Sequence, residues 1–184
     1  MARIKLLTLD ETSGAERERY EELAGRNAVT NMKKGLLQDA ATYDAYMAWY
    51  TSWNRLVEVI GEKDATIYAH AISTTNSCML CSLFFISDLQ ALGLDPDRLV
   101  FDEKEDLLVE LGQQIVKDPT AVPDELFAKL KEHWSDRELV VIVGFAGQMI
   151  ATNNFNSVFQ IDVDQRLLPI QGAFHPATWR EDIK

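Results

Sequence analysis

Cysteine occurs twice in the 184 residues, and both copies fall in one tetrapeptide, Cys78-Met79-Leu80-Cys81. Side chains three residues apart on a helix share a face, so the two sulfurs come within disulfide reach. At a helix start the unpaired backbone amides stabilise a thiolate, and the thiolate is the nucleophile. A dithiol so placed attacks a peroxide or a disulfide and then closes on itself. The competing reading is a pair of buried cysteines acting as small core residues, and the neighbouring Leu80, Leu83, Phe84 and Phe85 suit it equally.

Other chemistries for the pair fail on context. A zinc site needs about four ligands. There is no second cysteine pair, and His70, His133 and His175 lack ligand spacing, so neither a metal nor a cofactor is expected. A c-type haem motif needs histidine after the second cysteine, where Ser82 stands. A thioredoxin-type site needs a strand leading into the motif, and the preceding residues read as helix.

The elements that must position the cysteines are helical. Ala15 to Ala24 reads as a helix capped by Ser13. In a second, from Asp39 to Ile60, Tyr43, Tyr46, Met47, Tyr50, Trp53, Leu56, Val57 and Ile60 step by threes and fours, and Gly61 ends it. A third runs from Lys63 to Thr74. Asn76-Ser77 then breaks the pattern and caps the motif helix, Cys78 to Leu92. Glu103 to Lys117 and Asp124 to His133 follow. Ser135 and Glu138 form a capping box for a long apolar helix from Asp136 to about Asn153, and a further helix is predicted from Asn154 to about Val163. The tail 171–184 reads as irregular and suited to docking on a neighbouring subunit. With no linker-like stretch, residues 1–184 read as one all-α domain with its motif-bearing core at about 39–163. A weak internal repeat lays the segment from Asp64 over the segment from Asp136.

Composition narrows the partners. The net charge is −11 and the pI about 4.7, so neither nucleic acid nor an anionic membrane surface is an expected partner. The longest apolar stretch, Leu139 to Ala151, is too short to span a bilayer. The N-terminal MARIKLLTLDETSG has no apolar run of signal-peptide length, and with only two cysteines a cytoplasmic location is expected. The aromatic set Tyr43, Tyr46, Trp49, Tyr50 and Trp53 suits a core face on one side and a subunit interface on the other.

The aromatic helix DAATYDAYMAWYTSW, the helix before the motif, NSCMLC with its following helix, and SDRELVVIVGFAGQMIATNNFNSV together resemble the carboxymuconolactone decarboxylase family in its alkylhydroperoxidase D-like branch. The resemblance implies an all-α helical bundle with an internal helix-pair repeat and a homo-oligomer. It implies a peroxidase in which Cys81 is the peroxidatic nucleophile and Cys78 the resolving thiol. The family's proton-handling residues do not carry over: Phe85 and Leu80 stand where the pattern has or admits histidine, and Thr66 stands in place of a glutamate. His70, one turn after Thr66, is the substitute candidate for the relay. Glu138 falls where the second repeat would place the glutamate but reads as a capping carboxylate, and Asp88 reads as a surface acid. The expected function is therefore thiol-dependent redox chemistry on a small peroxide or disulfide, with an external dithiol as reductant. The alternatives are a non-catalytic oligomeric or ligand-binding relative, and a lactone decarboxylase.

Overall fold

A computed structural model describes residues 1–179. Among these residues there are eight α-helices, two 3-10 helices and no strand. The α-helices are α1 (Gly14–Gly25), α2 (Asn31–Leu36), α3 (Ala40–Ile60), α4 (Glu62–Thr75), α5 (Met79–Ala91), α6 (Glu103–Lys117), α7 (Asp124–His133) and α8 (Asp136–Phe159). The 3-10 segments are Leu9–Glu11 and Gln165–Ala173.

The helix boundaries follow from local chemistry. Asp39 caps α3 by accepting the Thr42 amide at 2.7 Å. Asp102 with Glu105 and Ser135 with Glu138 make reciprocal capping boxes on α6 and α8. Gly61 alone separates α3 from α4, at φ 87° and ψ 159°, a region essentially reserved for glycine. The expected side-chain cap at Ser13 is not made, although Ser13 holds the N-cap position.

Helix α4 is the axis of the bundle, packing against α3, α5, α6 and α8. Its residues 65–69, 71–73 and Thr75 are all buried, as expected of a helix surrounded by others. Tyr68, Ile72, Leu108, Leu111, Leu130, Ile142 and Phe145 make the centre of the core, and both cysteines and Phe85 belong to the same cluster. The Tyr68 hydroxyl donates to the Ile142 carbonyl at 3.3 Å, and burial pushes its pKa up.

Three expectations need correction. The helix predicted from Asn154 is not separate: α8 continues through it to Phe159 and stops at Gln160, which adopts the left-handed conformation at φ 49°. Its asparagines stay helical because their side chains find partners on α4 and α5. Secondly, Asn76-Ser77 does not supply the cap of α5; Cys78 is itself the N-cap. Thirdly, the tail is not irregular from its start. Residues 171–173 complete a 3-10 helix, and the segment beyond folds back over the α4–α5 turn. Residues 180–184 of that tail lie outside the described residues.

The approach of α6 to α4 depends on Gly112. A Cβ there would meet Ile72 Cγ1 and Tyr68 Cε2, both at 3.0 Å, whereas a Cβ at Gly144 on α8 would meet nothing within 4 Å. Gly112→Ala should destabilise the protein, because overpacking costs about 1–3 kcal/mol against about 1 kcal/mol of helix propensity gained. Gly144→Ala should stabilise by about 0.5–1 kcal/mol. Urea denaturation of the two variants should give shifts of opposite sign.

Candidate active site

Helix α4 ends at Thr75, and the chain turns through Asn76 and Ser77 before α5 begins. Ser77 takes φ 58°, a strained value for a residue with a side chain, and so aims Cys78 into the N-cap position. Cys78 and Cys81 are joined in a disulfide, with Cα atoms 5.4 Å apart. The backbone amide of Cys81 donates to Cys78 Sγ at 3.3 Å, so one orphan donor of the helix start ends on sulfur. Both residues are buried, Cys78 at 2% and Cys81 at 4% exposure.

One side-chain donor reaches Cys81 among the described residues: Asn156 Nδ2, at 3.2 Å. The second proton of the same amide is directed at Met32 Sδ on α2, at 3.4 Å. Asn156 belongs to a polar face of α8 that meets the α4–α5 junction. Asn153 Oδ1 accepts from Ser73 Oγ at 3.4 Å, and Asn154 Oδ1 accepts from Asn76 Nδ2 at 3.3 Å. Asn153 Nδ2 and Asn156 Oδ1 are buried with no partner among the described residues.

The positions at which the resembled pattern carries acids and bases are apolar or inert here. Phe85 is buried and stacks obliquely against Trp53, with ring centroids 6.0 Å apart. Leu80 is buried in the second core cluster, with Leu83, Ile86 and Leu167. The Thr66 hydroxyl bonds back to the Glu62 carbonyl at 2.8 Å within its own helix. Glu138 serves Ser135, whose hydrogen bonds hold its carboxyl below the usual range. Asp88 is exposed on α5.

His70 does not hydrogen-bond either sulfur. Its Nε2 lies 3.4 Å from Thr74 Oγ1, and Thr74 Oγ1 lies 3.5 Å from Ser82 Oγ. A line of hydroxyls thus runs from the imidazole to the residue after Cys81. Burial lowers the imidazole pKa to about 4, so His70 is neutral near pH 7. The aromatic residues of α3 divide as expected on the inner side. Trp49 and Trp53 stack in parallel at 5.4 Å and both pack on Phe145, while Tyr50 is turned outward.

The C-terminal segment covers the disulfide turn. The 3-10 helix 165–173 packs on α5 through Leu167, Ile170 and Ala173. Gln171 Nε2 lies 3.6 Å from Met79 Sδ, the Ala177 amide donates to Ser77 Oγ at 3.2 Å, and Trp179 Nε1 donates to the Thr75 carbonyl at 2.7 Å. Among the described residues no group of three or more acids, histidines or cysteines is placed to hold a metal, and no helix is long and apolar enough to cross a membrane.

Asn156 was not singled out in the sequence, nor was the contact that the strap, residues 165–179, makes with the α4–α5 turn. A readable signal for Asn156 existed: Thr152, Asn153 and Asn156 continue the buried face of Phe145 and Met149, where apolar residues are the rule.

No family model and no curated protein matches the sequence. Solved structures do. An uncharacterised peroxidase-related protein from a Silicibacter species superposes with a TM-score of 0.72 at 15% identity, over 90% of this chain and 93% of that one. A protein of unknown function from Agrobacterium tumefaciens, provisionally described as the antioxidant defence protein AhpD, gives 0.56 at 22% identity, over 68% and 92%. The chain has the alkylhydroperoxidase D-like fold. Identities this low establish the fold alone, and in this alkylhydroperoxidase D-like bundle the chemistry rests on the residues around the disulfide.

The neutral His70 has a consequence for stability. Below pH 6.5 the unfolded chain takes up a proton on this residue that the folded chain refuses until about pH 4. The unfolded state then binds more protons, so stability falls as pH drops through that window, by at most about 1.4 kcal/mol per pH unit. His70→Gln should remove this component. Urea denaturation at pH 7 and pH 5 should show a smaller acid loss in the variant than in the parent; equal losses would contradict the buried neutral imidazole.

Proposed function

We propose that the chain is a thiol–disulfide redox protein that cycles between the Cys78–Cys81 disulfide and its dithiol. The observation that carries this reading is the disulfide itself, set across the first turn of α5 with a backbone amide on one sulfur and a side-chain amide on the other. In the reduced state Cys81, as thiolate, attacks an electrophilic sulfur or oxygen. On a disulfide RSSR it forms a mixed disulfide and releases RS⁻. Cys78 then attacks Cys81 Sγ, releases the second thiolate and closes the internal disulfide. On a hydroperoxide ROOH the first step transfers one oxygen to give Cys81 sulfenic acid and releases RO⁻, which takes a proton from solvent to become ROH; the Cys78 thiol then attacks the sulfenic sulfur, closes the disulfide and releases water. An external dithiol, itself oxidised to a disulfide, restores the starting state.

Of the two substrates, a disulfide suits this site better. A departing thiol has a pKa near 8.5 and leaves without protonation. An alkoxide is a base comparable to hydroxide and far stronger than a thiolate, so its departure calls for a general acid. Asn156 cannot supply a proton, and His70 is neutral and bonded to Thr74. A role for His70 as a base acting through Thr74 and Ser82 belongs to this proposal and would show as a slowed reaction in His70→Ala with the fold retained.

A second reading has its own support. Phe85 and Leu80 are packed as ordinary core residues, which suits a disulfide kept as a structural clasp in a binding or scaffolding member of the fold. The cysteine variants separate the two. If the redox reading holds, Cys81→Ser abolishes reaction with a model disulfide or peroxide. Cys78→Ser reacts once and stops as a mixed disulfide or sulfenic acid, visible as added mass. Two variants that are equally inert, together with a parent whose thiols alkylate no faster than a free model thiol, would establish the clasp.

The reading further places the protein in the cytoplasm as a homo-oligomer. Its support is the outer face of α8, where Val140, Val143 and Val158 are exposed, and the outward Tyr50 of α3. Light scattering of the native protein at micromolar concentration should give a multiple of 20.8 kDa; the monomer mass would overturn this part.

A further inference from the structure

Among the described residues, each sulfur of the disulfide has one hydrogen-bond donor, and the two donors differ in kind. Cys78 Sγ takes the amide of Cys81, a donor that any helix start offers. Cys81 Sγ takes the Asn156 side chain, which the sequence supplies from a helix 75 residues away. Backbone geometry alone would favour the thiolate at Cys78. The side chain of Asn156 is placed to favour it at Cys81.

The orientation of that amide follows from its surroundings. Its two nearest polar contacts, Cys81 Sγ and Met32 Sδ, are at 3.2 and 3.4 Å, and neither a disulfide sulfur nor a thioether can donate. The NH₂ end must therefore face them, which leaves Oδ1 as the partnerless atom. Asn156 is 5% exposed, so solvent does not readily satisfy that oxygen. A disulfide has no proton to give it. In the proposed dithiol state the Nδ2 end, already fixed toward Cys81 Sγ, donates to a thiolate there.

We propose that Asn156 is a catalytic residue which selects Cys81 as the thiolate. The inference rests on the redox reading for its purpose, but it concerns thiolate formation alone. The buried amide donates a hydrogen bond to the charged sulfur, and a donor to the charged form lowers a pKa. No proton is transferred to the amide, and the proton lost from Cys81 goes to solvent or buffer when the strap over the turn opens.

The test is a labelling experiment that needs no substrate. The full-length protein is reduced, the reductant is removed, and the thiols are pulsed with iodoacetamide between pH 5 and pH 9. Peptide mass mapping then counts modification at Cys81 and at Cys78. In the parent, Cys81 should be modified first. Asn156→Leu fills the same space without a donor, and Asn156→Asp keeps the shape but brings a negative charge to the sulfur. Both should cut the Cys81-to-Cys78 labelling ratio about tenfold or more and move the Cys81 pH profile up by about one unit. A structural role for Asn156 would lower the melting temperature and leave ratio and profile unchanged; that outcome, in either variant that retains native circular dichroism, overturns the proposal. Should neither variant fold, the parent still decides: preferential modification of Cys78 overturns it, and preferential modification of Cys81 with a depressed pKa supports it. Turnover of a model disulfide by the parent alongside unchanged labelling in the variants would leave the redox function standing and remove Asn156 from it.

Discussion

The junction between α4 and α5 is splinted by one helical turn of α8. Asn153, Asn154 and Asn156 reach Ser73 before the break, Asn76 within it and Cys81 after it. Polar groups buried without partners cost about 1–3 kcal/mol each, so the two buried bonds, at Ser73 and at Cys81, hold the junction in one arrangement more strictly than apolar packing would, with the more exposed Asn154–Asn76 bond at its rim. The strained backbone of Ser77 persists only because its surroundings fix it on both sides. The capping position of Cys78, the spacing of the disulfide and the burial of both sulfurs all follow from that fixed break.

The bundle was legible in the sequence because its signals are local and redundant. Apolar residues of α3 and α6 recur at helical spacing, and the capping box of Ser135 with Glu138 marks the start of α8. What was not legible depended on distant partners. The sequence TNNFN looks like a break because asparagine competes with the helical backbone. In the fold those side chains are already engaged across the interior, so the backbone has no reason to leave the helix. The same long-range pairing hides Asn156: its role exists only once α8 crosses α5. The cysteines were legible as a motif and their burial beside Phe85 as one of its two readings; their packing with Phe145 and Met149 of α8 was not.

Apolar packing and chemistry therefore share one volume here. Trp53 packs on Phe85, Phe145 packs on Trp49, Trp53 and Tyr68, and the disulfide lies in that cluster. A charged sulfur in such a place is costly unless something donates to it. Surface carboxylates do not change this balance, because solvent screens them from the interior. The net charge of −11 thus bears on what the protein meets in solution.

The strap from Gln165 to Trp179 separates two quantities that are often treated as one. Whether the dithiol or the disulfide is favoured is an equilibrium matter, decided by the atoms packed around the two sulfurs. In the proposed cycle, how quickly an outside thiol reaches them would depend on how often the bonds at Ser77, Thr75 and Met79 let go. A change in the strap can alter the tempo of exchange while leaving the resting balance where it was, and a change at α8 can do the reverse. Thermodynamic poise and kinetic access are written in different parts of the chain.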